Sequence, residues 1–447
     1  MIAGKIVRKI KSSISLRNII KMMTGTLSGQ IISTILVPVS TRLYGVALFG
    51  NLAIFNSTSS LIIGFLGFGL SQAVMVAQTE KDAEAVYKLQ LFMTNILVMI
   101  TIIVLISVSK WFKIFDLGIE YNISILLLGF FIILCNLSNM TYAWLNRKGL
   151  FNVLLFNPMI MPLVNNIVII ILSFTSLKLY GLLIGSVLAQ LATNIHMRKY
   201  VKMNYKLDVK DIREIISKNK DFILFQYPAG FINNLVGQLP TQILYHSFGN
   251  TILGYYSMAI RLVNIPSGLI SSSLSRVYIK EASELERDMI GTATGYTLRI
   301  TKIVMLLFLI PTVIIIFFGD WGVPFVLGED WANSVVYLKI MMCWNLFAIG
   351  VNSTSGFSSV IHQQKSSMFV SIVKLIIFPV ALYGAVYTFR LPVITVAVYA
   401  VSYSIINILY YNFLIGKNYE LKNKYLSFNL IFVMVLLAVI FISNFFS

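Results

Sequence analysis

The sequence predicts an all-α polytopic membrane protein. It is expected to form two parallel six-helix bundles related by pseudo-twofold symmetry, with twelve core transmembrane helices and a probable extra one at the C-terminus. Three observations predict this: the composition, the spacing of apolar stretches and an internal repeat. Of 447 residues, 57% are hydrophobic and 12% are charged, whereas a soluble globular chain is about 45–50% apolar and about 25% charged. The composition excludes a disordered chain, a disulfide scaffold and an ordinary cytosolic enzyme.

Apolar stretches long enough to span a bilayer recur along the whole chain. A spanning helix needs about 20 mostly apolar residues. Thirteen segments qualify: 18–40, 46–72, 89–109, 123–145, 153–174, 177–197, 221–246, 252–276, 299–319, 333–360, 367–389, 391–414 and 428–446. Prolines inside several of them predict kinked helices that pack against neighbours.

The net charge of +18 is distributed unevenly between the loops. With the N-terminus inside, cytoplasmic segments carry 27 of the 35 basic residues and 12 of the 17 acidic ones. The net charge is then +15 inside, 0 outside and +3 within the spans. This asymmetry obeys the positive-inside rule, so it predicts a cytoplasmic N-terminus, and no nucleic-acid partner is needed to explain the charge.

The most polar stretch follows the sixth span and predicts a division into halves. We expect a basic amphipathic segment on the cytoplasmic leaflet, an N-terminal lobe with spans one to six, a cytoplasmic linker, a C-terminal lobe with spans seven to twelve, and a tail with the thirteenth candidate span. The corresponding boundaries are 1–17, 18–200, 201–220, 221–414 and 415–447.

Three pairs of similar segments or positions, one member in each half and here called echoes, support that division. The segment 44–51, Tyr-Gly-x4-Gly-Asn, resembles 248–255, Phe-Gly-x4-Gly-Tyr, and 111–120 resembles 321–330. Asn136 in span four corresponds to Asn352 in span ten. Each half has six spans, so both halves enter the membrane in the same sense, and a substrate site is expected between them.

Three cations lie well inside predicted spans eight, ten and eleven, which contain no Asp or Glu: Arg261, Lys339 and Lys374. A charge at mid-bilayer costs at least about 2.5–3.5 kcal/mol, so a substrate anion is the expected counter-charge. Arg261 lies about nine residues, or roughly 13 Å, into span eight, and its planar fork suits phosphate oxygens. The structural alternative is that Arg261 satisfies carbonyl groups freed by Pro266.

The other cations leave two interpretations open. Arg42, at the outer end of span one, could guard the mouth of a cavity or snorkel to the interface. Lys339 and Lys374 could bind substrate or snorkel in the same way. All three, with Arg261, are candidate binding residues for the substrate anion.

Uncharged amides also occur within the spans. The candidates for a polar cavity lining are Asn136, Asn139, Asn165, Asn233 and Asn352. They could hydrogen-bond neighbouring helices or line a wet cavity for a polyhydroxylated ligand. Their number, together with a cation near the midplane, favours the cavity.

Motifs for catalysis and cofactor binding are absent from the sequence. It contains no GxxxxGK[ST], GxSxG or HExxH pattern. Cys135 and Cys343 are isolated within apolar runs, which is typical of core packing. We therefore predict no catalytic residues, no cofactor and no metal site.

Three segments resemble signatures of the polysaccharide flippases of the Wzx type. They are PVSTRLYGVALFGNLAIF at 38–55, FGNTILGYYSMAIRLVNIPSGLI at 248–270 and FVLGEDW at 325–331. The likeness runs in order from about Asn18 to Leu414. This family, used for O-antigen and lipopolysaccharide biosynthesis, belongs to one superfamily with the lipid II flippases and the multidrug and toxin extruders.

The resemblance implies a V-shaped transporter in the bacterial inner membrane. It would move undecaprenyl-pyrophosphate-linked oligosaccharide repeat units from the cytoplasmic to the periplasmic leaflet by alternating access through a cationic cavity. Arg261 falls where lipid II flippases carry a cavity arginine, and Arg42 lies near their first-span arginines. A polysaccharide polymerase and a chain-length regulator are the protein partners it implies.

Two other classes compete with this interpretation. A cation-coupled multidrug exporter of the same superfamily needs an acidic residue in the interior of a span, and none is predicted there. A membrane glycosyltransferase or polymerase should carry large outer loops, whereas the predicted outer loops are short, about a dozen residues at most.

Overall fold

The computed structural model describes residues 14–67, 70–77, 79–109, 117, 120–201, 227–289, 291–416 and 419–446. Within these ranges the chain is helical and has no β-strand. Three predicted features lie wholly or partly outside the described residues. They are the beginning of the amphipathic segment, positions 202–220 of the linker, and nearly all of 111–120, which is the first copy of the second echo.

Fourteen α-helices are described. They are α1 (Ile14–Leu43), α2 (Val46–Leu66), α3 (Leu70–Val76), α4 (Glu80–Ser107), α5 (Tyr121–Arg147), α6 (Phe151–Ser173), α7 (Gly181–Arg198), α8 (Tyr227–Asp288), α9 (Thr292–Leu327), α10 (Ser334–Ser353), α11 (Phe357–Val360), α12 (Gln364–Phe389), α13 (Pro392–Leu414) and α14 (Tyr419–Phe446). Short 3-10 turns precede α7 and α10.

Ten segments in the described part of the chain are long and apolar enough to cross a membrane. One of them, Tyr419–Phe441, is the predicted thirteenth candidate. The helices α1 and α8, which hold predicted spans one, seven and eight, are not among the ten. Large apolar side chains such as Phe318, Val380 and Phe441 are 64–74% exposed, as expected for helices that face lipid.

The chain divides into two compact units. Unit 1 comprises Met1–Tyr44 and Asn51–Leu235, and unit 2 comprises Gly45–Gly50 and Val236–Ser447. The first residues of α2 therefore belong to unit 2 although the rest of α2 belongs to unit 1, and α8 begins in unit 1 and continues in unit 2.

In unit 1, α1 packs closely along α6 because two glycines remove side-chain bulk. A Cβ on Gly25 would lie 2.2 Å from the carbonyl oxygen of Leu155, and one on Gly29 would lie 2.0 Å from that of Pro158. Small residues at this spacing allow helix backbones to approach in a membrane, where dispersion contacts and hydrogen bonds drive packing.

Buried aromatic and basic side chains join the ends of α3, α4 and α5 in unit 1. The Tyr87 hydroxyl and the Thr141 hydroxyl are 2.9 Å apart, and the Tyr87 ring packs edge-on against Trp144. The Arg147 guanidinium donates to the carbonyls of Val74 and Met75, both at 3.2 Å. Arg147 thus satisfies carbonyl groups at the end of α3 that have no partner within that helix.

Unit 2 has a comparable buried cluster. The Tyr278 and Thr297 hydroxyls, 2.6 Å apart, link α8 to α9. The Tyr411 and Thr354 hydroxyls, 2.7 Å apart, link α13 to the end of α10. Tyr425 stacks on Tyr411 and is 3% exposed, so α14 is packed into this unit.

The two glycine motifs of the first echo touch each other inside unit 2. Helix α8 is broken at Gly249, whose φ of 80° is readily adopted only by glycine. The part of α8 just after the break lies against the start of α2. A Cβ on Gly50 of α2 would lie 1.8 Å from the Asn250 carbonyl oxygen, and a Cβ on Gly254 of α8 would lie 2.2 Å from the Val46 carbonyl oxygen. Each motif supplies one glycine and one carbonyl, which is the reciprocal pattern of a local twofold axis.

The third signature segment packs at the same place. The Phe49 ring meets Trp331 edge-on, with centroids 5.2 Å apart, and Trp331 is fully buried. We call this set of contacts the motif junction; it consists of Val46, Phe49, Gly50, Asn250, Gly254 and Trp331. All three signature segments contribute to it.

We predict that Gly50→Ala and Gly254→Ala each destabilise the protein by about 1–3 kcal/mol, because the added methyl group forces α2 and α8 apart. Gly384→Ala is the matched control, since a Cβ on this exposed helical glycine meets no atom within 4 Å. Melting temperatures of the detergent-solubilised variants test this. Equal melting temperatures for all three variants would contradict the tight contact.

Candidate functional site

The polar candidate site of unit 1 begins with an unusual run in α2. Five consecutive polar residues, Asn-Ser-Thr-Ser-Ser at 56–60, interrupt an otherwise apolar helix. Residues three and four apart share a helix face, so Asn56, Ser59, Ser60 and Ile63 face the same way. They line one wall of a cavity of about 450 Å³.

Three further helices of the same unit complete the cavity. Helix α5 supplies Phe131, Cys135 and Asn139 at a regular spacing of four residues, α7 supplies Gln190, and α8 supplies Asn234. Gly64 completes the wall on α2. The described lining residues contribute amides, hydroxyls, a thiol and an aromatic ring, and none of them is charged.

Two amides in the cavity are available to a ligand. The side chains of Asn56 and Asn139 are exposed and make no hydrogen bond to another residue within the described ranges. An amide offers two donors and one carbonyl acceptor. The pair can therefore both donate hydrogen bonds to a bound molecule and accept them from it.

The remaining polar groups hold the walls in place. The Asn234 amide donates to the Ser60 carbonyl at 2.7 Å and accepts from the Ser60 hydroxyl at 3.0 Å. Gly64 makes room for this contact, because a Cβ there would lie 2.3 Å from Asn234 Nδ2. Gln190 donates to the Ser138 hydroxyl at 2.5 Å, which ties α7 to α5.

Asn136 does not line this cavity. It is 4% exposed and accepts a hydrogen bond from Gln90 Nε2 at 3.3 Å. Gln90 also donates to the Thr94 hydroxyl and the Leu66 carbonyl. Gln90 Oε1 and Asn136 Nδ2 are enclosed without partners. This buried amide network holds the helices of unit 1 together. Asn136 therefore hydrogen-bonds a neighbouring helix, which is the alternative to a cavity lining that the sequence left open.

The other predicted amides occupy different surroundings. Asn139 lies in the cavity and Asn233 is exposed next to the lining residue Asn234. Asn165 is half-buried in unit 1 with Oδ1 enclosed and unpartnered, and Asn352 is exposed at the end of α10 in unit 2. Sequence reasoning missed the lining residues Asn56, Ser59, Ser60 and Gln190; the polar run at 56–60 was the available signal.

The prediction that Lys339 lacks an acidic partner is wrong. Lys339 Nζ lies 2.5 Å from Asp320 Oδ2. The predicted span ended at residue 319, whereas α9 continues to Leu327 and carries Asp320 with it. This ion pair neutralises the lysine, so Lys339 is not a free cation for a substrate. Acidic residues also lie near the ends of other candidate spans, as Glu80 and Glu420 do.

Lys374 is satisfied by neutral groups. Its Nζ donates to Asn407 Oδ1 at 2.7 Å and lies 4.8 Å from the centroid of the Tyr403 ring. Both contacts connect α12 to α13 inside unit 2. In the described part of the chain Lys374 has no carboxylate within ion-pair distance, so its positive charge is not neutralised there.

The two arginines differ in exposure. Arg261 is half-buried on α8, five residues before Pro266. Arg42 is exposed in the last turn of α1. Both interact with other groups of the protein.

Unit 2 contains a second cavity of about 670 Å³ with a different character. Its walls come from α9, α10, α13 and α14 and are almost entirely apolar. Cys343, Trp344 and the paired Lys339 are the main polar side chains on it. Among the described residues, no group of three or more His, Cys, Asp or Glu side chains is placed to hold a metal ion.

We predict that the two cysteine thiols differ in their reactivity toward a water-soluble reagent, because Cys135 lines the polar cavity and Cys343 lines the apolar one. We expect a charged methanethiosulfonate reagent to modify Cys135 in Cys343→Ser protein at least tenfold faster than it modifies Cys343 in Cys135→Ser protein. Modification in denaturant, where both thiols should react alike, is the control. Equal rates in the folded variants would show that the unit 1 cavity does not admit water.

Comparison with known proteins identifies the family. The family model described as polysaccharide biosynthesis protein matches residues 39–336, roughly two thirds of the chain. Among the curated proteins, none matches the chain.

Solved structures share the fold. The lipid II flippase MurJ in an inward closed conformation is 14% identical, with a TM-score of 0.64 over 93% of this chain and 97% of that one. An inward-facing multidrug resistance MATE family transporter of the MOP superfamily is 15% identical, with a TM-score of 0.63 over 90% of this chain and 96% of that one. An outward-facing MATE transporter is 16% identical, with a TM-score of 0.61 over 91% and 96%.

These similarities confirm the predicted class of all-α polytopic membrane protein, while the low identities carry information on fold alone. Together with the helices, the match over most of the chain leads to one conclusion: this protein belongs to the polysaccharide biosynthesis protein family.

Proposed function

We propose that the protein is a flippase for undecaprenyl-pyrophosphate-linked oligosaccharide repeat units, which it moves from the cytoplasmic to the periplasmic leaflet of the bacterial inner membrane by alternating access. The observation that carries this proposal is the uncharged polar cavity of unit 1. Polar groups within membrane helices are costly unless they are hydrogen-bonded. Exposed amides at Asn56 and Asn139 therefore indicate a compartment made for water or for a hydroxyl-rich ligand.

The chemistry of the lining suits sugar hydroxyls. A hydroxyl group both donates and accepts hydrogen bonds, and Asn, Gln and Ser side chains do the same. The volume of about 450 Å³ lies within the usual range of small-molecule sites, about 300–1,000 Å³. A cationic drug or a coupling cation would be served better by a carboxylate, and none of the described residues that line this cavity carries one.

Arg261 is the proposed counter-charge for the pyrophosphate. Its guanidinium offers two parallel donors to phosphate oxygens, and it is half-buried within a helix of unit 2. Arg42 and Lys374 are secondary candidates, whereas the ion pair removes Lys339 from the set. The N-terminus is proposed to be cytoplasmic. An inside-negative membrane potential favours the export of each negative charge by about 2.3 kcal/mol of free energy per 100 mV.

The proteins that act after such a flippase can be inferred from the product that it delivers. A repeat unit delivered to the outer leaflet must be polymerised, so a polysaccharide polymerase and a chain-length regulator are the proposed partners. O-antigen is one polysaccharide assembled from such units.

Protection of Cys135 tests the proposal. In Cys343→Ser protein, a saturating undecaprenyl-pyrophosphate-linked oligosaccharide should slow the modification of Cys135 at least fivefold, because the glycan occupies the cavity. Undecaprenyl pyrophosphate without sugar should not protect, because the cavity binds hydroxyls. The rate of thiol modification is the measurement. Protection by a cationic dye, with none by the oligosaccharide lipid, would overturn the proposal in favour of a multidrug exporter.

The same assay measures the role of Arg261. Arg261→Ala should raise the oligosaccharide-lipid concentration needed for half-protection about tenfold, since a charge-assisted hydrogen bond is lost. Arg287→Ala, at an exposed arginine in the last turn of the same helix, is the matched control. An unchanged half-protection concentration in Arg261→Ala would exclude Arg261 as a pyrophosphate contact.

A further inference from the structure

Unit 2 carries a groove that the proposed transport function does not use. It lies between α12 and α13 and has a volume of about 490 Å³. Most of its lining is apolar: Phe369, Val370, Val373, Ile377, Ile406, Leu409 and Phe413. The side chains at its margins are strongly exposed, with Phe369 at 66% and Phe413 at 63%. The groove therefore opens to the surroundings of the helices and is not an internal cavity.

The polar groups of the groove are concentrated at one end. Lys365 and Ser366 lie in the first turn of α12, and Tyr410 lies in the last turns of α13. Arg390 and Leu391 alone connect the two helices, so the helices run in opposite directions. The beginning of α12 is thus beside the end of α13, and the three polar side chains share a level.

Two of these polar groups have no partner among the residues that the structure describes. Lys365 is exposed and forms neither an ion pair nor a hydrogen bond with any residue in the described ranges. The Tyr410 hydroxyl is enclosed and has no hydrogen-bond partner. The Ser366 hydroxyl donates to Gln363 Oε1 at 2.8 Å. Because the Tyr410 hydroxyl is enclosed, Lys365 is the group that a ligand can reach, and its positive charge at the end of an apolar groove complements an anionic headgroup.

The length of the groove matches one leaflet. From Lys365 to Ile377 the helix rises roughly 18 Å at about 1.5 Å per residue. Half of a hydrocarbon core about 30 Å thick is roughly 15 Å. A chain that starts at the level of Lys365 and follows α12 inward therefore ends near the bilayer midplane, as a phospholipid acyl chain does.

We propose that the groove between α12 and α13 is a binding site for an anionic phospholipid. The lipid phosphate contacts Lys365, and one acyl chain lies along Phe369, Val373 and Ile377. The unpaired charge of Lys365 selects an anionic headgroup over a zwitterionic one, because the ammonium group of a zwitterionic headgroup repels the lysine. The site is independent of the transported substrate.

Native mass spectrometry of the full-length protein in detergent tests this site, with phosphatidylglycerol and phosphatidylcholine of the same chains as probes. We expect wild-type protein to retain phosphatidylglycerol about tenfold better than phosphatidylcholine. Lys365→Gln should abolish that preference. Lys199→Gln, which changes an exposed lysine at the end of α7 in unit 1, should leave the preference intact.

A second variant tests the contribution of the apolar groove separately from that of the Lys365 charge. Val373→Trp fills the apolar part while leaving Lys365 in place, and it should lower the retention of both lipids. Two outcomes would overturn the proposal: an undiminished phosphatidylglycerol preference in Lys365→Gln, or displacement of the lipid by millimolar inorganic phosphate, which would show a simple anion site. Melting temperatures without added lipid verify that each variant is folded.

Discussion

The reciprocal contact between two glycines and two carbonyls at the motif junction is the constraint on which the rest of the structure depends. Gly50 lies against the Asn250 carbonyl and Gly254 lies against the Val46 carbonyl, at distances that no other residue type permits. A helix pair that approaches this closely gains backbone dispersion contacts in a membrane, where the hydrophobic effect does not drive helix association. The contact fixes the start of α2 against the part of α8 that follows Gly249.

The same helix that begins at the junction carries the polar run of the cavity. Asn56 lies six residues beyond Gly50 on α2, less than two helical turns away. The signature segments are therefore explained by packing, since Phe49, Trp331 and the two glycines contact one another. The groups suited to a ligand lie just beyond them, at Asn56 and on the other helices of unit 1. A family signature and a binding site are distinct parts of this chain.

The polar residues of unit 1 separate into two sets with different physical roles. Gln90, Thr94 and Asn136 are buried and bonded to one another and to the Leu66 carbonyl, which stabilises the packing of helices. Asn56 and Asn139 are exposed to the cavity and not bonded within the described ranges. Only the second set can exchange its hydrogen bonds between water and a passing ligand, which a transport cycle requires.

The helical membrane fold could be predicted from the sequence, because apolar stretches long enough to span a bilayer are local signals. The first echo contains both glycines of the motif junction, but it predicts an internal repeat and not their contact. The ion pair of Lys339 could not be predicted, because it depends on α9 continuing past the apolar stretch to Asp320. Nor could Asn136 and Asn139 be distinguished, because a helix that is apolar on every side does not show which face meets a cavity.

Translocation by the purified protein in liposomes tests the central claim most directly. An undecaprenyl-pyrophosphate-linked oligosaccharide is placed in both leaflets, and an impermeant glycosidase added outside reports how much of it becomes accessible. The account predicts that with the protein the accessible fraction rises from about half to nearly all, while liposomes without the protein stay at about half. Unchanged accessibility, accompanied by protein-dependent uptake of a cationic dye, would contradict it.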